Sequence, residues 1–254
     1  MRLADLRLAV RPRTPYEAMD LGIRLAQDEA ALLWRTWFLV TLPVLALVLL
    51  VTLYFESSSA SLLLWWLKPL FDFALLGVLS RRVFGDTPTR RDILGSVAGS
   101  WRHGLVGHLT WRRFSMSRAY LLPVWLLENL PRREREARIA LLRNQYTGRA
   151  RWLHAVMVHF EAFLMVTVLS LLFWFAPDSQ DLDLWALLSG SQTHPLLNVI
   201  TTVAYFIAMS LVEPFYVAAG FTLYLNRRTD LEAWDLEIAF RHLRERLDTH
   251  RRLP

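Results

Sequence analysis

Four stretches of the chain are apolar almost all round: Thr36–Phe55, Ser59–Ser80, Leu153–Ala176 and Leu196–Leu225. Each reaches the roughly 20 residues a helix needs to cross about 30 Å of hydrocarbon. None shows the single apolar stripe of a soluble surface helix. The pattern predicts an all-α, polytopic membrane protein with four transmembrane helices. Ahead of the first run, Thr14-Pro15-Tyr16-Glu17 combines a hydroxyl N-cap, a proline at the first helical position and a carboxylate at N3. The helix it starts sets Glu17, Asp20, Arg24, Gln27 and Asp28 against Met19, Leu21, Ile23 and Leu25. Such an amphipathic helix lies on the membrane face or packs on the bundle.

The connections divide the rest. Residues 1–35 form an N-terminal amphipathic unit, 36–80 and 153–226 two membrane hairpins, 81–152 an Arg-rich helical loop, and 227–254 a C-terminal amphipathic helix. In the loop, Thr89 and Asp92 have the spacing of a capping box. Ala119–Leu127 is too short to span and holds Pro123; it packs against the membrane or the bundle, with a shallow re-entrant dip as the alternative. Pro131–Asn144 reads as a charged helix, and Pro214 as a kink in the last crossing. Thr229 and Glu232 suggest a second cap. An Arg-Arg stop before a capped helix then occurs twice, at Arg81-Arg82 and Arg227-Arg228, as a duplicated hairpin would leave it.

Charge orients this arrangement. Of 29 cationic residues only Lys68 is a lysine; the arginines fall in 1–35, 81–151 and 227–252. The connections 56–60 and 177–195 hold none, and the second carries Asp178, Asp181 and Asp183. Positive-inside bias puts both termini and the central loop in the cytoplasm, with a bacterial inner membrane as the expected location. Arg81, Arg82, Arg227 and Arg228 then act as cytoplasmic stops in contact with anionic lipid. The net +6 follows from topology, so no nucleic-acid partner is expected. No cysteine is present, which excludes thiolate chemistry. No cleavable signal peptide is expected, because some 35 charged residues precede the first apolar run.

Ionisable groups within the apolar runs are the candidate site, since each costs roughly 2.5–3.5 kcal/mol at the bilayer centre. They are Lys68, Asp72, His159, Glu161 and Glu213. Counted from the flanking arginines at about 1.5 Å per residue, Lys68 and Glu213 share one depth, and Asp72 and Glu161 another. Lys68 and Asp72 are also an i,i+4 pair that could neutralise itself. The cluster reads either as polar glue between helices or, with three carboxylates against one ammonium, as a proton or cation site. If Glu213 is protonated, Glu213→Gln is nearly silent while Lys68→Ala is damaging. His159-Phe160-Glu161 is no HExxH signature, and no catalytic residues, metal ligands or cofactor are expected.

One resemblance covers most of the chain. Glu213-Pro214-Phe215-Tyr216-Val217-Ala218-Ala219-Gly220-Phe221, Tyr224 to Thr229 and Trp234-Asp235 carry it, with Trp66 to Asp72, Pro123-Val124-Trp125 and His159-Phe160-Glu161. These resemble a group of uncharacterised proteobacterial inner-membrane proteins encoded near MoxR-type AAA+ ATPases, von Willebrand A-domain proteins and a transglutaminase-like membrane protein. More distantly, the layout is similar to the membrane domain of some glycerophosphodiester phosphodiesterases. The resemblance implies an envelope-associated assembly with an AAA+ ATPase or A-domain protein as partner. It carries over no catalytic residue. The expected function is a non-enzymatic scaffold; the rival is a small proton- or cation-linked permease subunit, which four helices would require to form a homo-oligomer or pair with another subunit.

Overall fold

The computed structural model describes residues 11–55, 58–175 and 195–233. Its helices are α1 (Pro15–Asp28), α2 (Ala30–Phe55), α3 (Ser61–Val83), α4 (Arg90–Gly99), α5 (Leu105–Leu109), α6 (Arg118–Leu127), α7 (Arg132–Phe175) and α8 (Pro195–Glu232). Short 3-10 turns occur at Ser58–Ala60 and Trp111–Phe114, and no strand occurs among the described residues. Helices α2, α3, α7 and α8 are long and apolar enough to cross a membrane, as the pattern predicts. The expected outer loop up to residue 194 and the C-terminal helix beyond 233 lie outside the described residues.

The four long helices have different surroundings. α2 and the second half of α7 leave Leu47, Leu50, Phe55, Phe160, Phe163 and Leu171 exposed. Water would penalise that surface at about 25 cal/mol per Å², whereas lipid is as apolar as the side chains themselves. α3 and α8 are wrapped by protein instead, with residues 71–80 and 216–227 buried throughout.

α8 is the spine, and its small residues explain why. At Gly22 of α1, an added Cβ would lie 2.5 Å from the Ala219 Cα and 2.6 Å from the Ala218 carbonyl oxygen. At Gly220 it would lie 2.5 Å from the Ala119 Cβ of α6. Two helices therefore touch α8 backbone to backbone, which only small residues permit. Arg13 and Asn226 exchange backbone and side-chain hydrogen bonds at 3.0 and 2.8 Å. α1 thus packs on the bundle through Ala18, Met19, Gly22 and Ala26. Its start is the predicted one: the Thr14 hydroxyl accepts from the Glu17 N–H, and Pro15 follows the cap.

Four positions on α3 place the central connection. Gly77 lies against Ser96 and Leu126. Phe73 meets His108, Asp72 meets Arg118, and Trp65 meets Arg113 and Phe114. Residues 105–127 therefore run down α3, turn beside Trp65 and return as α6, whose first seven residues are all buried. Trp65 precedes Arg81 by 16 residues, about 24 Å along a helix. The two sequence alternatives for this run are combined: it is buried in the bundle, and it follows the turn-back course of a re-entrant segment along α3.

Two terminus assignments differ in outcome. Thr89 and Asp92 form a complete capping box on α4, and the Thr89 hydrogen bonds, with Arg81, hold the Asp92 carboxyl down to about 2. Thr229 caps nothing: it lies inside α8 and its hydroxyl donates to the Leu225 carbonyl at 3.0 Å. The cap half of the suggested duplication is therefore missing. Pro214 sits inside α8. The departure from helical geometry is at Asn144 and Gln145 of α7, where φ of Gln145 is 71°.

Candidate functional site

Five charged side chains from four helices meet in the bundle. Lys68 Nζ donates to Glu161 Oε2 at 2.5 Å and lies 2.7 Å from Glu213 Oε2. Arg118 Nε donates to Asp72 Oδ2 at 2.7 Å, and its Nη2 to Glu213 Oε1 at 3.0 Å. Glu213 thus bridges the two cations with one oxygen each. The side chains of Arg118, Asp72 and Glu213 are at most 2% exposed. Around them, His154 Nδ1 lies 2.9 Å from the Tyr216 hydroxyl, and the Ala119 N–H donates to that same oxygen at 3.3 Å. The space left beside Lys68, Glu161 and Glu213 is about 10 Å³, at the lower limit for a single water.

The depth match of Lys68 with Glu213 is realised as direct contact. Asp72 and Glu161, also matched in depth, do not meet: Asp72 turns to Arg118 and Glu161 to Lys68. Nor do Lys68 and Asp72 pair with each other. A lysine one turn before a carboxylate is the weaker helical orientation, and each finds a partner fixed on another helix. Three carboxylates against one ammonium becomes three against two once Arg118 is included. Buried Arg113, its guanidinium 3.8 Å from the Trp65 ring centroid, adds a third positive charge acting on Asp72 and Glu213. Oδ1 of Asp72 is buried without a hydrogen-bond partner.

His159 does not belong to the cluster, correcting its place among the intramembrane polar residues. It is exposed, and its Nδ1 lies 2.7 Å from the Ala155 carbonyl of its own helix. Two residues along a helix rotate by about 200°, so His159 and Glu161 face opposite ways. His154, seven residues before Glu161, shares its face. The four stop arginines all have protein partners. Arg81 pairs with Asp92, and Arg82 with Glu29 at 2.7 Å. Arg227 donates to Gln145 at 3.3 Å, and Arg228 pairs with Glu232 at 2.6 Å. A second polar knot ties the same end: the Tyr224 hydroxyl donates to Glu128 at 2.6 Å, and Arg138 joins Glu128 to Glu232.

His108 is a separate buried group. It is 3% exposed, edge-on to Phe73 and Trp125 at 5.4 and 5.6 Å, and neither ring nitrogen has a hydrogen-bond partner. Burial, and then the charges of Arg112 and Arg118, push it down to about 3. The native state therefore takes up this proton less readily than the unfolded chain. The neutral ring carries no penalty at pH 7, and stability is lost as pH falls below the unfolded value of about 6.5. By pH 5 the loss amounts to about 2 kcal/mol. His108→Phe is expected to flatten the fall in melting temperature between pH 7 and pH 5; equal falls in variant and wild type would contradict this.

Comparison with protein-family models, with curated proteins and with solved structures gives no match.

Proposed function

We propose that the protein is a non-enzymatic, multi-pass scaffold of the bacterial inner membrane, with both termini on the cytoplasmic side. The observation that carries this reading is the closed cluster: every one of its five side chains is engaged by another, and the space beside Lys68, Glu161 and Glu213 is only about 10 Å³. Buried charges paired this way specify which helices meet and in what register. The Arg-rich helices at the α8 C-terminal end offer a docking face for an envelope assembly. An AAA+ ATPase or A-domain protein is the proposed partner, on the strength of the sequence resemblance. Gentle detergent purification of the tagged chain from native membranes, with mass spectrometry of what accompanies it, tests this. A stoichiometric partner supports the scaffold. A lone homo-oligomer, unchanged after crosslinking, counts against it.

The unpartnered Oδ1 of Asp72 favours a second reading, a proton-linked permease subunit in which that oxygen holds the proton. In liposomes, a pH-driven flux abolished by Asp72→Asn in a folded variant would support it. Full flux in the variant would remove the site.

A further inference from the structure

Beside the hairpin of residues 105–127 the surface opens into two adjoining pockets of about 420 and 800 Å³, the smaller of which reaches Arg118 of the closed cluster. They share Trp111, Arg112, Trp125, Ile139 and Arg143. The charge there is one-sided. The Arg112 guanidinium lies 3.8 Å from the Trp125 ring centroid and 5.5 Å from that of Trp111, and no carboxylate pairs with it among the described residues. Arg135 lies 4.2 Å from the same Trp125 ring; its Nη2 bonds the Leu130 carbonyl, and its buried Nε has no partner. Arg143, exposed on the facing helix, also has no carboxylate partner among the described residues. The one acid in the lining, Glu136, is held by Arg132 at 3.1 Å. His108 lines the smaller pocket, nine-tenths buried with both nitrogens unsatisfied.

Four guanidinium groups in the lining, those of Arg112, Arg132, Arg135 and Arg143, against the one carboxylate of Glu136 leave a positive excess that an anion would complete. The Coulomb cost shows in Arg112, which burial and then Arg135 and Arg132 hold below the usual guanidinium range. Planar, many-donor guanidinium groups match the oxygens of phosphate, and a neutral imidazole adds one further donor. The tryptophan faces hold two of the arginines in place before any ligand arrives. We propose that this pocket binds a phosphate-bearing anion, with Arg112, Arg135 and Arg143 as the charged contacts and His108 as the buried donor. Either a phospholipid headgroup or free phosphate could supply that chemistry. The exposed rings of Trp111 and Phe114 at the rim suit acyl chains in the first case.

The test uses the full chain in neutral detergent. Retained phosphatidylglycerol is counted by native mass spectrometry, and inorganic pyrophosphate is titrated by thermal shift against chloride at equal ionic strength. Wild type is expected to bind at least one of the two. The Arg112→Gln/Arg143→Gln variant is expected to bind it about tenfold more weakly, the loss of one charged hydrogen bond or more, with a melting temperature equal to or above the wild type's in the absence of ligand. Retention of lipid alone assigns the site to a headgroup, and a response to pyrophosphate assigns it to free phosphate. If the double variant misfolds, Arg143→Gln alone, on an exposed side chain, carries the comparison. No binding of either compound, or binding unchanged in the folded variant, overturns the proposal.

Discussion

Glu213→Gln is expected to be one of the most damaging single substitutions in the chain, although it changes one atom. The carboxylate gives one oxygen to Lys68 at 2.7 Å and the other to Arg118 at 3.0 Å. A carboxamide keeps one acceptor and turns an NH₂ group toward the second cation. That cation keeps only its other carboxylate, Glu161 for Lys68 or Asp72 for Arg118, and faces a donor where it had an acceptor, a loss of about 3 kcal/mol for a charged hydrogen bond in a buried site. Against a total stability of roughly 5–15 kcal/mol, much of the protein would fail to accumulate. Fluorescence-detected size exclusion of the tagged variant measures this. A monodisperse peak at wild-type height would restore the expectation drawn from sequence alone, in which a protonated Glu213 makes the exchange nearly silent.

Gly220→Leu is expected to be comparably severe by a different route. Its new Cβ would fall 2.5 Å from the Ala119 Cβ and 2.7 Å from the Ala119 carbonyl carbon. No flexible side-chain end is available to move, so α6 must withdraw from α8. Arg118, next to Ala119, is then drawn away from Asp72 and Glu213, adding the loss of two buried ion pairs to an overpacking cost of about 1–3 kcal/mol. Gly95→Ala is the control. Nothing lies within 4 Å of its added Cβ, and replacing a helical glycine is worth about 0.5–1 kcal/mol in the opposite direction. A lowered melting temperature for Gly220→Leu beside an equal or raised one for Gly95→Ala is the expected pair. Equal melting temperatures for Gly220→Leu and wild type would contradict the backbone contact.

The contrast between Glu213 and Arg118 shows how far the sequence could be read. Uniform apolar runs locate α2, α3, α7 and α8, and charges within such runs stand out, so Lys68, Asp72, Glu161 and Glu213 were visible. Arg118 was hidden because it precedes a run of only nine residues in an Arg-rich connection, where an arginine suggests solvent. It enters the cluster only because α6 turns back along α3, a tertiary fact that local pattern does not encode. The re-entrant alternative for Ala119–Leu127 was the available signal. His159 shows the opposite error: its position in an apolar run suggested membership, while helical rotation from Glu161 already excluded it. The same rotation places His154 correctly. Thr229 has the spacing of a cap but continues α8, because packing by α1, α6 and α7 holds the helix past the point where the local signal would end it.

The most direct test of the interhelical lock is a double-mutant cycle on Arg118 and Asp72, read as detergent melting temperature or chemical stability. Arg118→Met is expected to destabilise by about 3 kcal/mol by leaving Asp72 buried without its cation, and Asp72→Asn by less, because Arg118 keeps Glu213 at 3.0 Å. Together they remove the mismatch, and the double variant is expected to recover roughly 1–3 kcal/mol relative to the sum. Strictly additive losses, or an Arg118→Met protein as stable as the wild type, would contradict the account.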